Sequence, residues 1–391
     1  MYEHIIVGAG LAGCVLAERI ANVLGEKVLV VEKRDHLGGN CYDYYDEAGL
    51  LVHKYGPHIF HTQLEEVWEY LSQFTDWRPY QHRVLGCVDG KKIPIPFNLT
   101  SLHQSFTPEV AQRMEDKLVE NYGREVQVPI LELMESEDED LSLLADYVYR
   151  KVFLNYTKKQ WGLMPEELDP SVTARVPVLV SHDDRYFQDP YQGIPREGYT
   201  KIFEKMLSNP HIEVMLNTDY KEVLKFKEGV IHCKGKNFKG KLIYTGEIDY
   251  LFGYQYGRLP YRSLRFEMET LDQEFYQEVA TVNYPNEHRY TRITEFKHLT
   301  GQKHEKTTIT REYPQSYQAE RGDVPYYPIP KEEYQEIYER YREKASQYSN
   351  LILVGRLAEY QYLNMDLVVD RALTIFQEKL APGKKRRKIA P

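Results

Sequence analysis

A glycine-rich turn near the amino terminus contains the first residues whose types and spacing could do chemistry. The apolar run Ile5 to Val7 leads directly into Gly8, Gly10 and Gly13, and a second apolar run ends at Glu32, 19 residues after Gly13. Glycines at this spacing allow a tight turn, a close approach of backbone to a pyrophosphate, and close packing of helix on strand. The following helix would attract phosphate at its amino terminus, and the carboxylate can accept hydrogen bonds from ribose hydroxyls. The pattern therefore predicts a dinucleotide-binding unit.

A second glycine pair, Gly38-Gly39, comes soon after the acidic residue and is followed by Asn40. In this respect the sequence resembles flavoproteins of the glutathione-reductase type, in which backbone at this point passes the FAD pyrophosphate and ribityl chain. Enzymes that bind NAD seldom need such a pair there. The resemblance therefore favours FAD over NAD as the cofactor.

His58 and His61 lie three residues apart in a Gly-Pro loop. They could contact the cofactor, or they could be structural histidines of a turn. Their spacing superficially suggests a metal pair, but no third ligand with suitable spacing is nearby. We expect no bound metal.

The stretch from Asn155 to Gly162 concentrates aromatic and basic side chains at the end of a helical pattern. Tyr156 and Trp161 offer flat faces for a base such as uracil, a contact worth on the order of 1–3 kcal/mol by analogy with base stacking. The alternative interpretation is a helix that ends in a buried tryptophan. The next stretch, rich in proline, contains Arg175 and Tyr186.

Arginines are the natural partners of a diphosphate, because their guanidinium groups are planar, permanently charged and able to donate two parallel hydrogen bonds. The chain has a net charge of −9, so any anionic substrate needs cations that are gathered locally. Arg175, Arg292 and Arg356, with several tyrosine hydroxyls, could form such a pocket. There is no Ser-His-Asp set and no convincing pair of carboxylates, which suits a reaction whose chemistry is carried by a cofactor.

The elements that must position these residues are interleaved along the chain. Asp89-Gly90 predicts a hairpin. Residues 101 to 160 have helical spacing, and Thr107 followed by Pro108 predicts a helix start. Three predicted strands are expected to return to the dinucleotide-binding domain: Ile212 to Leu216, Val230 to Cys233 and Leu242 to Thr245. Three others are expected to form an antiparallel sheet: Leu264 to Thr270, Thr281 to Tyr284 and Thr307 to Arg311. A last buried strand ends at Gly355, before a helix that opens at Asn364-Met365.

Composition sets the broad class of the protein. The chain has 391 residues, of which 42% are hydrophobic and 28% charged, as in an ordinary globular protein of two or three packed units. No apolar run approaches the roughly 18–20 residues of a membrane span, and because the first strand begins almost at Met1, we expect no signal peptide. The four cysteines are scattered along the chain and form no CxxC pair, so we expect them to be reduced thiols. We therefore expect a cytoplasmic protein without a nucleic-acid partner. The basic tail, Lys384 to Lys388, is expected to be solvated, with weak attraction to an anionic membrane surface as the alternative.

Taken together, the motifs resemble prokaryotic UDP-galactopyranose mutases along nearly the whole length of the chain. The matching segments are VGAGLAG, GGN, YGPHIFHT, NYTKKQWG, GRLPYRSLRFE, YTRITEFKH, PYYPI and VGRLAEYQYLNMD. The resemblance implies a mixed α/β fold with three parts. A Rossmann-like FAD-binding domain would comprise residues 1–75, 197–257 and 340–391, an inserted α-helical bundle residues 100–168, and an antiparallel β-sheet domain residues 76–99, 169–196 and 258–339.

The resemblance also implies roles for individual residues. The implied FAD positions are Gly8, Gly10, Gly13, Glu32, Lys33, Gly38, Gly39, Asn40, His58, His61, Gly355, Arg356 and Met365. The implied substrate positions are Tyr156, Thr157, Trp161, Arg175, Tyr186, Arg292, Tyr327 (in preference to Tyr326), Arg356, Tyr362 and Asn364. Arg175, Arg292, Arg356 and His61 are the implied catalytic residues. The family often has Asp where this chain has Asn364, which puts a carboxylate role at that position in doubt.

The implied reaction interconverts UDP-galactopyranose and UDP-galactofuranose by nucleophilic catalysis from N5 of reduced FAD, with no net redox change. It would require a flavin reductant such as NAD(P)H or a reductase, and the family tends to form homodimers. An FAD-dependent oxidoreductase of the amine oxidase or monooxygenase type is the alternative, but it does not explain the gathered arginines and Trp161. A nucleotide-sugar binding protein would need no redox-active flavin.

Overall fold

The computed structural model describes residues 2–167 and 177–382. Five parallel strands form the sheet of the dinucleotide-binding domain, in the order Ile212–Met215, Val28–Val31, His4–Val7, Lys241–Tyr244 and Leu351–Leu353. Numbered along the chain, these strands lie in the order 3-2-1-4-5, the arrangement of a Rossmann domain. Every residue of the first two strands in the chain, HIIV and VLVV, is buried. A parallel sheet that is covered on both faces has this continuous apolar pattern.

Successive residues of the central strand point into two different hydrophobic cores. Ile6 packs with the helices Leu11–Arg19, Tyr199–Met206 and Met365–Ile375, whereas Ile5 faces a second core that includes Tyr220 and Leu224. The second face is covered by the short helices Tyr220–Val223 and Ile248–Leu251 and by an antiparallel sheet of Leu224–Lys227, Val230–Cys233 and Lys236–Asn237.

Two of the three strands predicted to return to this domain join its parallel sheet, but Val230–Cys233 does not. It pairs with Leu224–Lys227 in the small antiparallel sheet. Glu228 and Gly229 both have positive φ, at 51° and 76°, and so they reverse the chain in a tight hairpin. An apolar run predicts a strand but does not specify which other strand it pairs with.

The inserted helical unit has a core of its own. Buried side chains such as Met114, Leu118, Leu144 and Val148 pack between its helices. Pro108 occupies the first turn of the second helix and Thr107 is the residue before it, as predicted. The helices are Leu99–Ser105, Pro108–Tyr122, Ile130–Met134, Glu139–Val148 and Asn155–Trp161, and the last two are joined by a π-helical stretch, Tyr149–Leu154.

The large sheet has seven strands, in the order Tyr327–Pro328, Tyr261–Leu271, Thr307–Ser316, Arg292–Glu295, Thr281–Asn283, Val84–Val88 and Lys91–Ile95. The predicted hairpin at Asp89-Gly90 is confirmed, with φ of 50° and 76° at these residues. All pairs are antiparallel except Thr281–Asn283 with Val84–Val88, which is parallel. The sheet is therefore mixed at the point where the hairpin joins it.

Residues 177–196, predicted to belong to the antiparallel domain, contribute no strand to this sheet, but Arg185 forms an isolated antiparallel bridge with Arg83, directly before its strand Val84–Val88. Pro177–Leu179 pairs with Gln127–Pro129 of the helical unit, and Tyr191–Pro195 lies between Phe60–Thr62 and Trp77–Pro79 in a three-stranded sheet. The segment thus pairs with strands in all three predicted parts, because Phe60–Thr62 was assigned to the dinucleotide-binding domain, Trp77–Pro79 to the antiparallel domain and Gln127–Pro129 to the helical unit. The remaining elements are the strands Asp43–Tyr45 and Leu51–His53 and the helices Glu65–Leu71, Phe296–Thr300 and Glu332–Ser346.

Candidate active site

A long cavity begins at the glycine turn, at the carboxyl ends of the parallel strands. We call it the cofactor cavity. Gly13 packs so closely on the turn that a Cβ placed on it would lie 1.9 Å from the carbonyl oxygen of Gly8. A Cβ on Gly39, whose φ is 57°, would lie 3.0 Å from the Cα of Gly10. The two glycine segments therefore meet, and together they form a backbone cradle of the kind that receives a pyrophosphate.

Glu32 is buried at the edge of this cavity and holds its backbone in place. Its carboxylate accepts hydrogen bonds from the backbone N–H of Ala9 at 2.8 Å and of Arg34 at 2.9 Å. Each carboxylate oxygen retains a lone pair that can accept a ribose hydroxyl. The carboxylate thus has a structural role that the sequence did not predict, and its role toward a ribose stays a prediction. Lys33 also lines the cavity, with its ammonium group 3.5 Å from Glu247.

Arg34 is a residue of this cavity that the sequence analysis missed. Its Nη2 donates to Asn40 Oδ1 at 2.9 Å, and its guanidinium lies 4.5 Å from the ring centre of Tyr55. Its Nη1 is buried and has no hydrogen-bond partner in the described part of the chain. A buried cationic donor without an acceptor suits an anionic group such as a cofactor phosphate. Its position directly after the acid and lysine was the signal that could have revealed it.

A second cavity, the central pocket, shares a wall with the cofactor cavity. Four residues line both: Asn40, His58, Arg356 and Met365. Nδ1 of His58 lies 2.9 Å from the carbonyl oxygen of Gly56, which can only accept, so Nδ1 carries the hydrogen and Nε2 has the lone pair. Burial lowers the pKa of His58 to about 3. A neutral imidazole therefore stands between the two cavities.

The central pocket opens in turn into a third, the aromatic pocket, lined among others by Phe97, Phe153, Tyr156, Gln160 and Trp161. Six residues line both of these pockets: Tyr156, Tyr186, Asn283, Arg292, Tyr327 and Tyr362. The predicted substrate residues of the described chain thus converge on one connected space. This space runs from the cofactor cavity to the last helix of the helical unit.

Arg292 stands at the boundary of the central and aromatic pockets, at the start of a strand of the large sheet. Its Nη2 donates to the hydroxyl of Tyr156 at 2.5 Å. Its Nε lies 3.4 Å from Oε1 of Glu312, without hydrogen-bond geometry. Burial raises the pKa of Glu312, and the charge of Arg292 offsets part of this rise. Because Nε of Arg292 makes no hydrogen bond, the guanidinium keeps an N–H donor that a bound anion could use.

Arg356 is held differently, by backbone carbonyl groups. Its Nε and Nη2 donate to the carbonyl of Leu363 at 3.0 and 2.5 Å, and its Nη1 donates to that of Tyr326 at 3.1 Å. The guanidinium also lies 5.6 and 5.3 Å from the ring centres of Tyr327 and Tyr362. No carboxylate neutralises it in these contacts.

The tyrosines of the pocket are hydrogen-bond donors across the physiological pH range. Burial raises the pKa of Tyr156 to about 12 and also raises those of Tyr186 and Tyr327. Tyr327 lines both pockets, whereas Tyr326 is 4% exposed and lines only the central pocket. This placement supports the preference for Tyr327.

The helix Asn155–Trp161 carries the residues predicted to hold a base. Trp161 is buried against Leu163 and Tyr327, yet it lines the aromatic pocket. The two interpretations offered from the sequence are therefore compatible. The helix ends at Gly162, whose φ is 68°, and Arg262 donates to the carbonyls of Lys159 and Gln160 at 3.2 and 2.8 Å. Arg262 is a second residue that the sequence analysis missed.

His61 lines the central pocket but not the cofactor cavity. Its Nδ1 lies 2.8 Å from Oδ2 of Asp189, and its ring stacks on Phe187 with 3.6 Å between ring centres. Since a carboxylate accepts, Nδ1 donates in this pair. Asp189 was not predicted, because it lies 128 positions away in the sequence.

Asn364 lines the central pocket and precedes the helix Met365–Ile375 without capping it by a side-chain hydrogen bond. Gly355 lines the cofactor cavity, and its N–H donates to Glu359 at 2.8 Å. Arg175 and the basic tail lie outside the described residues. Within residues 2–167 and 177–382, no group of three or more His, Cys, Asp or Glu side chains is placed to hold a metal ion. None of the helices in these ranges is long and apolar enough to cross a membrane.

Comparisons of the sequence with known proteins point to a single family. A family model described as UDP-galactopyranose mutase matches residues 151–362, and one described as an NAD(P)-binding Rossmann-like domain matches residues 6–74. A probable UDP-galactopyranose mutase of Klebsiella pneumoniae is 36% identical over 96% of this chain and 94% of its own length. A UDP-galactopyranose mutase of Mycoplasma genitalium is also 36% identical, over 97% and 95%. A dTDP-fucopyranose mutase of Escherichia coli is 34% identical over 96% and 98%.

Solved structures agree on the fold. The structure of a reduced UDP-galactopyranose mutase superposes with a TM-score of 0.70 at 16% identity, covering 95% of this chain and 92% of that one. A protein described as a putative protoporphyrinogen oxidase from Exiguobacterium superposes with a TM-score of 0.62 at 13% identity, covering 97% and 98%. The fold is therefore common to mutases and oxidases, and the full-length sequence relatives decide between them. Since the family model spans more than half of the chain and these relatives span nearly all of it, the chain is an isomerase that belongs to the flavin-dependent UDP-galactopyranose mutase family.

Proposed function

We propose that this enzyme interconverts UDP-galactopyranose and UDP-galactofuranose while FAD in its reduced form occupies the cofactor cavity. The observation that carries the proposal is the wall shared by the cofactor cavity and the central pocket at Asn40, His58, Arg356 and Met365. A sugar in the central pocket would lie beside the cofactor, while its nucleotide extends past Arg292 into the aromatic pocket.

The residues of the cofactor cavity fit FAD. The glycine cradle at Gly10 and Gly39 suits a pyrophosphate, Arg34 offers it an unpaired donor, and Glu32 can accept from ribose. Lys33, Gly38, Gly355 and Met365, also predicted to contact FAD, line the same cavity, whereas His61 does not. When bound and reduced, FAD supplies N5 as a nucleophile toward the anomeric carbon, and no electrons are consumed over the cycle. The bound FAD must first be reduced, by NAD(P)H or by a reductase.

The chain's own residues stabilise the UDP that departs. Arg292 and Arg356 present guanidinium N–H groups to the developing negative charge, and the phenols of Tyr186, Tyr327 and Tyr362 can add neutral donors. Because Arg292 and Arg356 are held by their protein partners before substrate binds, little reorganisation is needed at the moment of reaction. Arg175 is proposed as a further cation for the diphosphate.

Retention of UDP is the second task of the pocket. UDP must stay in place while it is not joined to the sugar, since its return completes the reaction. The base would lie against Tyr156 and Trp161, and the diphosphate against the arginines. His61, with Nδ1 held by Asp189, is proposed to accept a hydrogen bond from the sugar through Nε2.

A second substrate is favoured by one specific observation, the 34% identity to a dTDP-fucopyranose mutase over 96% of the chain. Both candidate substrates join a hexose to a pyrimidine nucleoside diphosphate, and the arginines would serve either. An FAD-dependent oxidoreductase shares the fold, but no full-length relative cited above carries such a name.

The test is to incubate the purified protein anaerobically with UDP-galactofuranose or with dTDP-fucofuranose, with and without dithionite, and to separate the sugar nucleotides by chromatography. We expect conversion to the pyranose form, and we expect it to depend on reduction. Conversion of only the thymidine compound would reassign the substrate. No conversion of either by enzyme with bound, reduced flavin would overturn the proposal, and substrate-dependent oxygen consumption would then support the oxidoreductase.

A further inference from the structure

Three histidines line the central pocket: His58, His61 and His82. Burial lowers the pKa of His58 and of His82 to about 3, so these two rings carry no second proton near neutral pH. Nδ1 of His82 lies 3.2 Å from the hydroxyl of Tyr80, a neutral partner. Among the described residues, a carboxylate lies at hydrogen-bond distance from His61 alone of the three, with Oδ2 of Asp189 2.8 Å from Nδ1. Of these rings, His61 is therefore the one whose protonated form has a counter-ion.

The pair formed by His61 and Asp189 is fixed from several sides. The two side chains are 17% and 16% exposed, and the ring of His61 stacks on Phe187 with 3.6 Å between ring centres. His61 pairs with Gln192 in the ladder between their two strands. The side-chain Nε2 of Gln192 donates to the carbonyls of Phe187 at 3.1 Å and of Asp189 at 2.8 Å. One glutamine thus holds both residues that orient the imidazole.

The proposed reaction requires a proton to move from one sugar oxygen to another. When the furanose becomes the pyranose, the bond between C1 and O4 breaks and its electron pair stays on O4. O5 loses its proton and uses the freed electron pair to bond to C1. O4 gains one proton, O5 gives up one, and no electrons are exchanged. The pocket therefore needs a group within hydrogen-bond reach that can both donate and accept a proton.

The other polar groups of the described pocket are less suited to this task. Its arginines stay charged and have no acceptor atom, and burial raises the pKa values of its phenols, which therefore keep their protons. Glu312 also lines the central pocket, but its carboxyl group is 3% exposed and faces Arg292. His61 is more accessible, and its Nε2 has no hydrogen-bond partner among the described residues.

Resting on the proposed function, we infer that His61 carries this proton and that Asp189 is its positioning residue. Nε2 of the protonated ring donates to O4 as the furanose opens, and Nε2 of the neutral ring accepts from O5 as the pyranose closes. The reverse reaction uses the same steps in the opposite order. Asp189 holds Nδ1–H, which fixes the tautomer of the neutral ring, and its negative charge stabilises the protonated ring.

The experiment separates the departure of UDP from the change of ring size. The probe is UDP-galactopyranose labelled with oxygen-18 at the oxygen between C1 and phosphorus, given to enzyme that has been reduced with dithionite. Each departure and return of UDP at C1 exchanges the label with the other oxygens of the same phosphate, which phosphorus NMR detects. This scrambling needs no proton at O4 or O5. Interconversion of the two ring forms needs both transfers, and chromatography measures it in the same sample.

The variants are His61→Gln and Asp189→Asn, with FAD content and the dissociation constant of UDP measured for each. We expect interconversion to fall by at least about 10²-fold in both, the usual contribution of general acid–base catalysis, while scrambling stays within about tenfold of the wild type. The matched control is Asp184→Asn, in the same segment. Asp184 accepts from Asn98 Nδ2 at 2.8 Å, an amide oxygen can replace that acceptor, and neither rate should change.

Equal losses of scrambling and interconversion in the His61 variant would overturn the inference, because the histidine would then act in the departure of UDP. Loss of FAD from either variant would also overturn it, since the pair would then support the cofactor cavity. If Asp189→Asn kept the wild-type interconversion rate, its positioning role would be refuted. A selective loss of interconversion in Glu312→Gln, but not in His61→Gln, would assign the proton to Glu312. Failure of the proposed function itself would appear differently, as a wild type that neither scrambles nor interconverts.

Discussion

The pair formed by Arg292 and Glu312 allows the stabilising and catalytic roles of an arginine to be separated. Glu312 is 3% exposed, and Arg292 is the cation that faces it, with Nε 3.4 Å from Oε1. Arg292→Ala would leave the carboxyl group buried without its cation. Removing one member of a buried pair typically costs about 3–5 kcal/mol of stability. Here we expect the lower end, because burial already raises the pKa of Glu312 and the group can take up a proton.

Glu312→Gln in the same chain should recover most of that stability, because a neutral amide needs no cation. Turnover should not recover. Loss of one preorganised donor to a developing negative charge costs about 2.7–4 kcal/mol in the barrier, or about 10²–10³-fold in kcat. The double variant Arg292→Ala/Glu312→Gln is therefore expected to be stable, to hold FAD, and to be about as slow as Arg292→Ala alone.

The assay combines three measurements on the wild type, both single variants and the double variant. They are the conversion of UDP-galactofuranose by the reduced enzyme, the FAD content from absorbance, and the midpoint of thermal unfolding. Recovery of kcat in the double variant to within tenfold of the Glu312→Gln value would show that Arg292 acts only by neutralising Glu312. Loss of FAD from Arg292→Ala would show that the arginine supports the cofactor cavity instead.

Two further predictions concern the cofactor end of the molecule. Gly39→Ala should lower FAD content, because its Cβ would press on the backbone of Gly10. The control is Gly25→Ala, which is also at positive φ (72°) but has open space around it, and which should lose only about 1 kcal/mol of stability and keep its FAD. Equal FAD content in the two variants would contradict this prediction. Burial raises the pKa of Asp249 from its ordinary value of 3.8 to about 6 in the folded protein. Between these two pKa values the folded state binds more protons than the unfolded state. The stability that this carboxyl group contributes at low pH is therefore lost as pH rises through 6. Asp249→Asn removes that dependence, and its unfolding free energy relative to wild type should rise by about 1–2 kcal/mol between pH 5 and 7.5; a constant difference in denaturant titrations would refute it.

The sequence predicts best what is local. The glycine turn, Glu32 and the second glycine pair lie within 40 residues, and their spacing alone determines that they meet at one strand end. The hairpin at Asp89-Gly90 follows from two residues that tolerate positive φ. Tyr156, Thr157 and Trp161 occupy a single short helix, so a pocket at that helix end could be expected.

Contacts between distant segments could not be predicted in this way. Arg262 meets Gln160 across 102 positions, and Arg292 meets Tyr156 across 136. Both arginines lie on strands, where a shift of one residue would turn the side chain to the opposite face. Spacing does not specify such a register. The separate pairing of Tyr191–Pro195, which places Asp189 beside His61, was missed for the same reason.

The two arginines of the central pocket differ in how much charge they can offer an anion. Arg356 is held by carbonyl oxygens at three of its five N–H groups, so its position is fixed while its net charge is not cancelled. Arg292 shares its charge with Glu312 and donates to Tyr156. A chain of net charge −9 can therefore attract a diphosphate locally. Because Arg356 lines both the cofactor cavity and the central pocket, the proposed function would make it the cation best placed to act where the sugar meets the flavin.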